Sequence, residues 1–175
     1  MVKGPSSLYE IPINLPSAST NVLPVISFKN WEIPYGAGSG GRSAVENRDL
    51  SLYDVAPEAK NCSWMQNAER GECLIERQRA RQFIYEHWRL KKRGYISVEF
   101  SCADCDPIVH YFIEPNENGT WRIASTLEDD RFPLHKWEDA FDVRYRRATA
   151  REREAESSSN VLSFLDRSGK EIDSF

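Results

Sequence analysis

Apolar positions in the middle of the chain repeat with two different periods, and the change between them marks the first boundary in the fold. From about Glu72 to Arg93 the residues Ala80, Phe83, Ile84, His87 and Trp88 recur at i, i+3, i+4, i+7 and i+8, the spacing that aligns side chains on one face of an α-helix. Lys91, Lys92 and Arg93 suit the negative end of the helix dipole, and Gly94 supplies a left-handed stop. After Gly94 the period falls to two. In Tyr95-Ile96-Ser97-Val98-Glu99-Phe100 the residues Ile96, Val98 and Phe100 share a face, which predicts a strand.

The same alternation predicts strands at Ile108 to Glu114 and Thr120 to Leu127, joined through Pro115-Asn116-Glu117-Asn118-Gly119. The Asn-Gly pair there suits a tight type I′ hairpin turn. Phe141, Val143 and Tyr145 alternate with charged residues and predict a fourth strand within Trp137 to Arg147. Residues 148–160, rich in Arg, Glu and Ser, read as a solvated linker or frayed helix. Val161 to Leu165, the turn Asp166-Arg167-Ser168-Gly169, and Lys170 to Phe175 then read as a closing hairpin. Residues 1–60 differ, holding six of the nine prolines and five of the nine glycines. That is loop composition, with weak strand signals only at Val22 to Phe28 and Leu50 to Val55. The expected architecture is α+β: one long helix packed on an antiparallel β-meander of four to five strands, spanning 61–175 behind an irregular segment of 1–60.

Composition supports one folded domain and removes some function classes. With 175 residues, 40% of them apolar and 29% charged, the chain is long and apolar enough to bury a core. A net charge of −4 without a strongly basic region makes nucleic acid an unexpected partner. No run reaches the roughly 18 apolar residues of a membrane span. Met1 to Leu8 has no basic region followed by an apolar stretch, although a signal segment already removed would leave no trace.

Cys62, Cys73, Cys102 and Cys105 are the one group with site-like spacing, and they permit two chemistries. Cys102-Ala103-Asp104-Cys105 has the C-x-x-C form of a zinc knuckle, but Cys62 and Cys73 have ten residues between them instead of two to four. The alternative is two disulfides, Cys102 to Cys105 across a tight turn and Cys62 to Cys73 between the pre-helix loop and the helix start. Gly36-Ala37-Gly38-Ser39-Gly40-Gly41-Arg42-Ser43 fits a phosphate loop only with Arg42 in place of lysine, and it lacks the flanking strand and helix. His87 lies on the apolar helix face and His110 on a strand face with Ile108 and Phe112. A hydrolase would pair one of them with Glu86, Asp104 or Asp106, but no nucleophile or metal motif accompanies them. Asn61-Cys62-Ser63 and Asn118-Gly119-Thr120 match the glycosylation pattern. Among the five tryptophans, Trp88 and Trp121 fall where core packing explains them.

Ala80-Arg81-Gln82-Phe83-Ile84-Tyr85-Glu86-His87-Trp88, Lys92-Arg93-Gly94-Tyr95, Ile113-Glu114-Pro115 and Gly119-Thr120-Trp121-Arg122 together resemble a segment of uncharacterised bacterial proteins with predicted export signals. Leu162 to Ile172 is similar to their C-terminal hairpin. The resemblance covers roughly residues 80–127 and 161–175 and carries no known activity. It implies an exported address, periplasmic or extracellular, where disulfides are favoured over zinc. The expectation is a noncatalytic exported module without a cofactor that binds an unknown protein or surface ligand. A zinc-stabilised intracellular domain that binds protein or nucleic acid stands second, and a small hydrolase built on His87 or His110 third.

Overall fold

The computed structural model describes residues 48–101, 106–128 and 138–175. Among them a 3₁₀ turn (Leu50–Leu52) leads into β1 (Asp54–Val55), α1 (Asn67–Leu90), β2 (Gly94–Glu99), β3 (Ile108–Pro115), β4 (Trp121–Glu128), β5 (Glu138–Ala140), β6 (Asp142–Arg147), α2 (Ala150–Glu156), β7 (Asn160–Leu165) and β8 (Glu171–Ser174). Two helices and eight strands form a mixed fold with two sheets, ordered β1-β2-β3-β4-β5 and β6-β7-β8. The consecutive antiparallel strands β2 to β5 bear out the expected meander in part. The fourth predicted strand is divided instead. Its first residues close the five-stranded sheet against β4, and from Asp142 onward it pairs with β7. Phe141 sits at the crossing, its amide donating to the Leu165 carbonyl at 2.8 Å. The weak Leu50 to Val55 signal yields β1, which pairs with β2 in parallel.

Helix α1 starts at Asn67, five residues earlier than its apolar repeat reveals, because its first turn is polar and carries no periodic signal. Its end also differs from expectation. Lys91 takes the left-handed cap at φ 51°, donating to the carbonyls of His87 and Trp88, while its ammonium lies 3.4 Å over the Trp88 ring. Gly94 serves a different purpose, since a Cβ there would meet the His87 ring at 3.0 Å and Phe83 at 3.1 Å. It lets β2 start close against the helix.

The two hairpin turns share one geometry. Gly119 donates to the Asn116 carbonyl while the Asn116 amide donates to the Thr120 carbonyl, and Gly169, Asp166 and Lys170 repeat both bonds. The side chains of Asn116 and Asp166 each accept two later amides. Only the glycines, at φ 79° and 82°, are left-handed. The Asn118-Gly119 turn is therefore a type I turn followed by a glycine bulge, not the expected type I′, because the Asx bonds organise the residues before glycine. Residues 148–160 contain α2, started by a capping box between Thr149 and Glu152.

Both faces of the five-stranded sheet are covered. Ile96, Val98, Tyr111, Ile113 and Ile123 form the main core with Ala80, Phe83 and Ile84 of α1 and with Val143, Leu162 and Phe164 of the second sheet. Tyr111 stacks on Phe164 with centroids 4.9 Å apart. On the opposite face Tyr53 and Val55 cover Tyr95, Phe112 and Ala124. Ala59 also bonds to β2 through Ser97 and Glu99. Residues 48–60 thus belong to the folded unit, although their composition reads as loop. A chain beginning at residue 61 loses the cover over Tyr95 and Phe112 and the parallel edge of β2. Each fully buried apolar side chain contributes about 1.5–3 kcal/mol, so removing 1–60 is expected to abolish the cooperative transition or drop the melting temperature sharply, as calorimetry would show. An unchanged melting temperature would contradict this packing.

Candidate functional site

The loop before α1 is fastened at several points. Cys62 and Cys73, 5% and 4% exposed, form a disulfide with sulfurs 2.08 Å apart. Asn61 donates to Asp106 at 3.0 Å and accepts from the Ser63 amide at 2.8 Å, and Arg70 donates to the Cys62 carbonyl at 2.8 Å. With both ends of its carboxamide bonded and only 9% of the residue exposed, Asn61 is a poor glycosylation acceptor. Asn118 stands exposed at a hairpin tip.

Behind this loop two arginines are buried, each 2% exposed. Arg77 donates to the carbonyls of Lys60 at 2.8 Å and Glu99 at 3.0 Å and to the Glu156 carboxylate at 2.6 Å. Arg81 donates to the other oxygen of that carboxylate. Both guanidinium groups lie over the Phe175 ring, at 4.9 and 4.8 Å. Their Nε atoms have no hydrogen-bond partner among the described residues. Burial pushes the Arg81 pKa down, and Glu156 opposes that shift. For Glu156, burial favours the neutral acid, but the two arginines outweigh it and hold the carboxyl below its ordinary value. These arginines were hidden in a charged run, although Arg77, Ala80, Arg81 and Ile84 do fall on one helical face.

Arg77 also lines a cleft of about 330 Å³ between the disulfide loop, the end of β2, α2 and β8. Asn61, Glu99, Phe100, Asp173 and Phe175 contribute to its wall. Asp173 accepts from the Tyr111 hydroxyl at 2.8 Å, yet burial is the larger influence and raises its pKa. Burial and the nearby Glu58 and Asp106 raise that of Glu99. The cleft therefore combines two aromatic rings with the carboxylates of Glu99 and Asp173, which form no salt bridge among the described residues, and with Glu152 and Glu156, which are paired with arginines.

The histidines lie elsewhere. His87 meets Asp54 at 2.9 Å and the Phe83 carbonyl at 2.8 Å, bracing β1 against α1. His110 meets the Tyr95 hydroxyl at 2.9 Å and Glu128 at 2.8 Å. In this chain Tyr95 and His110 are 1% and 4% exposed, and burial raises the Tyr95 pKa, so the phenol stays a protonated donor. Of the expected carboxylate partners, Glu86 bonds to Gln82 and Asp106 to Asn61, while Asp104 lies outside the described residues. A second buried carboxylate, Glu114, accepts from Arg48 at 2.9 Å, Arg122 at 3.0 Å and the Tyr53 hydroxyl. Burial raises the Glu114 pKa, but these bonds outweigh it and hold the carboxyl below its ordinary value. Burial and Glu114 push the Tyr53 hydroxyl up to about 12. This cluster ties residues 48–53 to the outer sheet face.

Cys62 and Cys73, two of the four cysteines of the alternative zinc set, are bonded to one another. Cys102, Cys105, Gly36 to Ser43, Val22 to Phe28, Trp31 and Trp137 lie outside the described residues. Among the described residues no group of three or more His, Cys, Asp or Glu side chains is arranged to hold a metal, and no helix is long and apolar enough to cross a membrane. Trp88 and Trp121 pack on the core as expected, whereas Trp64 is 80% exposed. No family model matches the chain, no curated protein matches it and no solved structure matches it.

Removing the charge of Glu156 tests the centre of this arrangement, since it leaves two buried guanidinium groups without a counter-charge. Glu156→Gln is expected to cost about 3–5 kcal/mol in denaturant unfolding. Acid should act in the same direction. Glu156 and Glu114 have folded pKa values below the ordinary 4.5, so their contribution is complete above that pH and is lost as pH falls through the depressed values. A denaturation midpoint unchanged between pH 6 and pH 3 would contradict this.

Proposed function

We propose that this chain is a noncatalytic binding domain that works in an oxidising, extracytoplasmic compartment, with the cleft beside the Cys62–Cys73 disulfide receiving its ligand. The observation that carries this reading is the separation of the concavity from the imidazoles. The cleft is walled by Arg77, Glu99, Phe100, Asp173 and Phe175, whereas His87 and His110 are engaged with other partners away from it. A pocket of this size with aromatic walls and a few convergent polar groups fits the general form of a small-ligand or peptide side-chain site. Its acceptors, Glu99 and Asp173, favour a ligand that presents hydrogen-bond donors.

The disulfide supports the compartment, because a reducing cytosol keeps such thiols apart. It closes a loop of sequence separation 11, and closures of this length stabilise small domains by something under about 3 kcal/mol. Reduction with a thiol reagent is expected to lower the melting temperature, and intact mass should show two hydrogens fewer at Cys62 and Cys73 in material isolated from an oxidising compartment. Two free thiols there would remove this support.

The binding reading is tested by titrating the ¹⁵N-labelled protein with a fragment set rich in amines and amides. Amide shifts should cluster at Asn61, Ser101 and Ser174 and disappear in Ala155→Trp, which places a large ring at the cleft wall. A p-nitrophenyl ester assay supplies the counter-test: turnover that is lost in His110→Asn would replace this reading with the hydrolase.

A further inference from the structure

The wall of the cleft ends on an exposed tryptophan. Ser63 lines the cleft and Trp64 follows it in the chain, so the Trp64 Cα lies ~3.8 Å from that of a wall residue. Its side chain is 80% exposed, the most of the five large apolar residues that stand exposed among the described residues. The turn that carries it is anchored. The Met65 amide donates to the Cys62 carbonyl at 3.3 Å, closing the backbone over Ser63 and Trp64. The Ser63 amide donates to Asn61 Oδ1 at 2.8 Å, and Cys62 is held by its disulfide. Arg70 donates to the carbonyls of Cys62 at 2.8 Å and of Ala155 at 3.3 Å, which ties this turn to α2 on another wall of the cleft. The fold thus presents an indole to water from a fixed position at the cleft edge, where it adds nothing to the core.

The polar groups of the cleft complement that ring. Ser63 and Ser101 stand exposed in its wall, and a hydroxyl both donates and accepts hydrogen bonds. Glu99 and Asp173 are acceptors without a salt bridge among the described residues, whereas Glu152 and Glu156 are already met by Arg146, Arg77 and Arg81. Arg77 itself belongs to the wall. An ammonium ligand would face that guanidinium and could only donate. A pyranose ring matches the whole set. One of its faces is made of C–H bonds and lies flat on an indole, while its hydroxyls donate to carboxylates and exchange bonds with serines. We propose that the cleft and Trp64 together form a saccharide site, with a neutral pyranose against the indole and its hydroxyls bonded to Glu99, Ser101 and Asp173. The inference rests on the binding reading of the cleft and specifies its ligand class.

Titration of the ¹⁵N-labelled full chain with cellotetraose, chitotetraose, mannotetraose and xylotetraose tests this, with cadaverine as the cationic comparator. At least one saccharide should shift the amides of Ser63, Ser101 and Ser174 together with the Trp64 indole N–H. Added salt should leave its affinity unchanged, because the ligand carries no charge. Trp64→Ala should weaken binding about tenfold without lowering the melting temperature, since the ring is exposed. Glu99→Ala should also weaken it about tenfold, as expected for one hydrogen bond to a charged group. Glu99→Gln should recover part of that loss, because a carboxamide oxygen still accepts. Shifts caused by cadaverine alone, weakened by salt and lost in Glu99→Gln, would keep the binding reading and overturn the saccharide class. Saccharide shifts that survive both Trp64→Ala and Glu99→Ala would overturn the site. If neither the saccharides nor the amine and amide fragments perturb the cleft, this inference and the binding reading fall together.

Discussion

The carboxylate of Glu156, shared by Arg77 and Arg81, is the constraint on which the arrangement of the layers depends. It connects α1 to α2, and Arg77 extends the connection to the carbonyls of Lys60 and Glu99, at the pre-helix loop and the end of β2. Buried ion pairs contribute little net stability when compared with well-packed apolar residues, because both charges must leave water. Their effect lies in what they forbid. Once two guanidinium groups are 2% exposed, any packing that moves α2 away from α1 leaves them unpaired, at a cost of several kcal/mol. The ion cluster therefore selects one arrangement of helices and sheets from those that would bury a similar apolar area.

The cleft follows from this choice. The arginines occupy the faces of Phe175 and, for Arg77, lie near Phe100, so the wall of the concavity is stiffened by the groups that join the layers. The disulfide performs the corresponding task on the other side by holding the loop of Asn61 against the helix. In the proposed binding role, walls held in this way lower the entropy that a ligand must overcome.

Much of the fold was legible because alternation and helical periodicity report burial directly. Strands β2, β3, β4 and β7, the presence of α1 though not its ends, and both hairpin positions follow from that pattern. The parts that were not legible share a cause. Arg77 and Arg81 are charged, and a charge on a helix is normally a sign of solvent; only their spacing with Ala80 and Ile84 betrays the buried face. Residues 48–60 resemble a loop because β1 has just two residues, yet Tyr53, Val55 and Ala59 are 7% exposed or less. Division of the predicted fourth strand between two sheets leaves no mark on its alternation. Of the candidate site, the Cys62–Cys73 pair was readable from its position beside the helix start, whereas the cleft depends on Asp173 and Glu156, whose neighbours are distant in sequence.

The strand that runs from Glu138 through Phe141 to Arg147 has a kinetic consequence. Neighbouring hairpins such as β3 and β4 need only a short loop closure, and they can assemble while the rest of the chain is still unstructured. The second sheet is also made of neighbouring strands, but its first strand continues directly from the last strand of the first sheet, so the position of either sheet constrains the other. The clasp joining Arg77 to Glu156 spans 79 residues, and the bond of Arg70 to the Ala155 carbonyl spans 85. Contacts of such separation form only once the chain between them has been brought together.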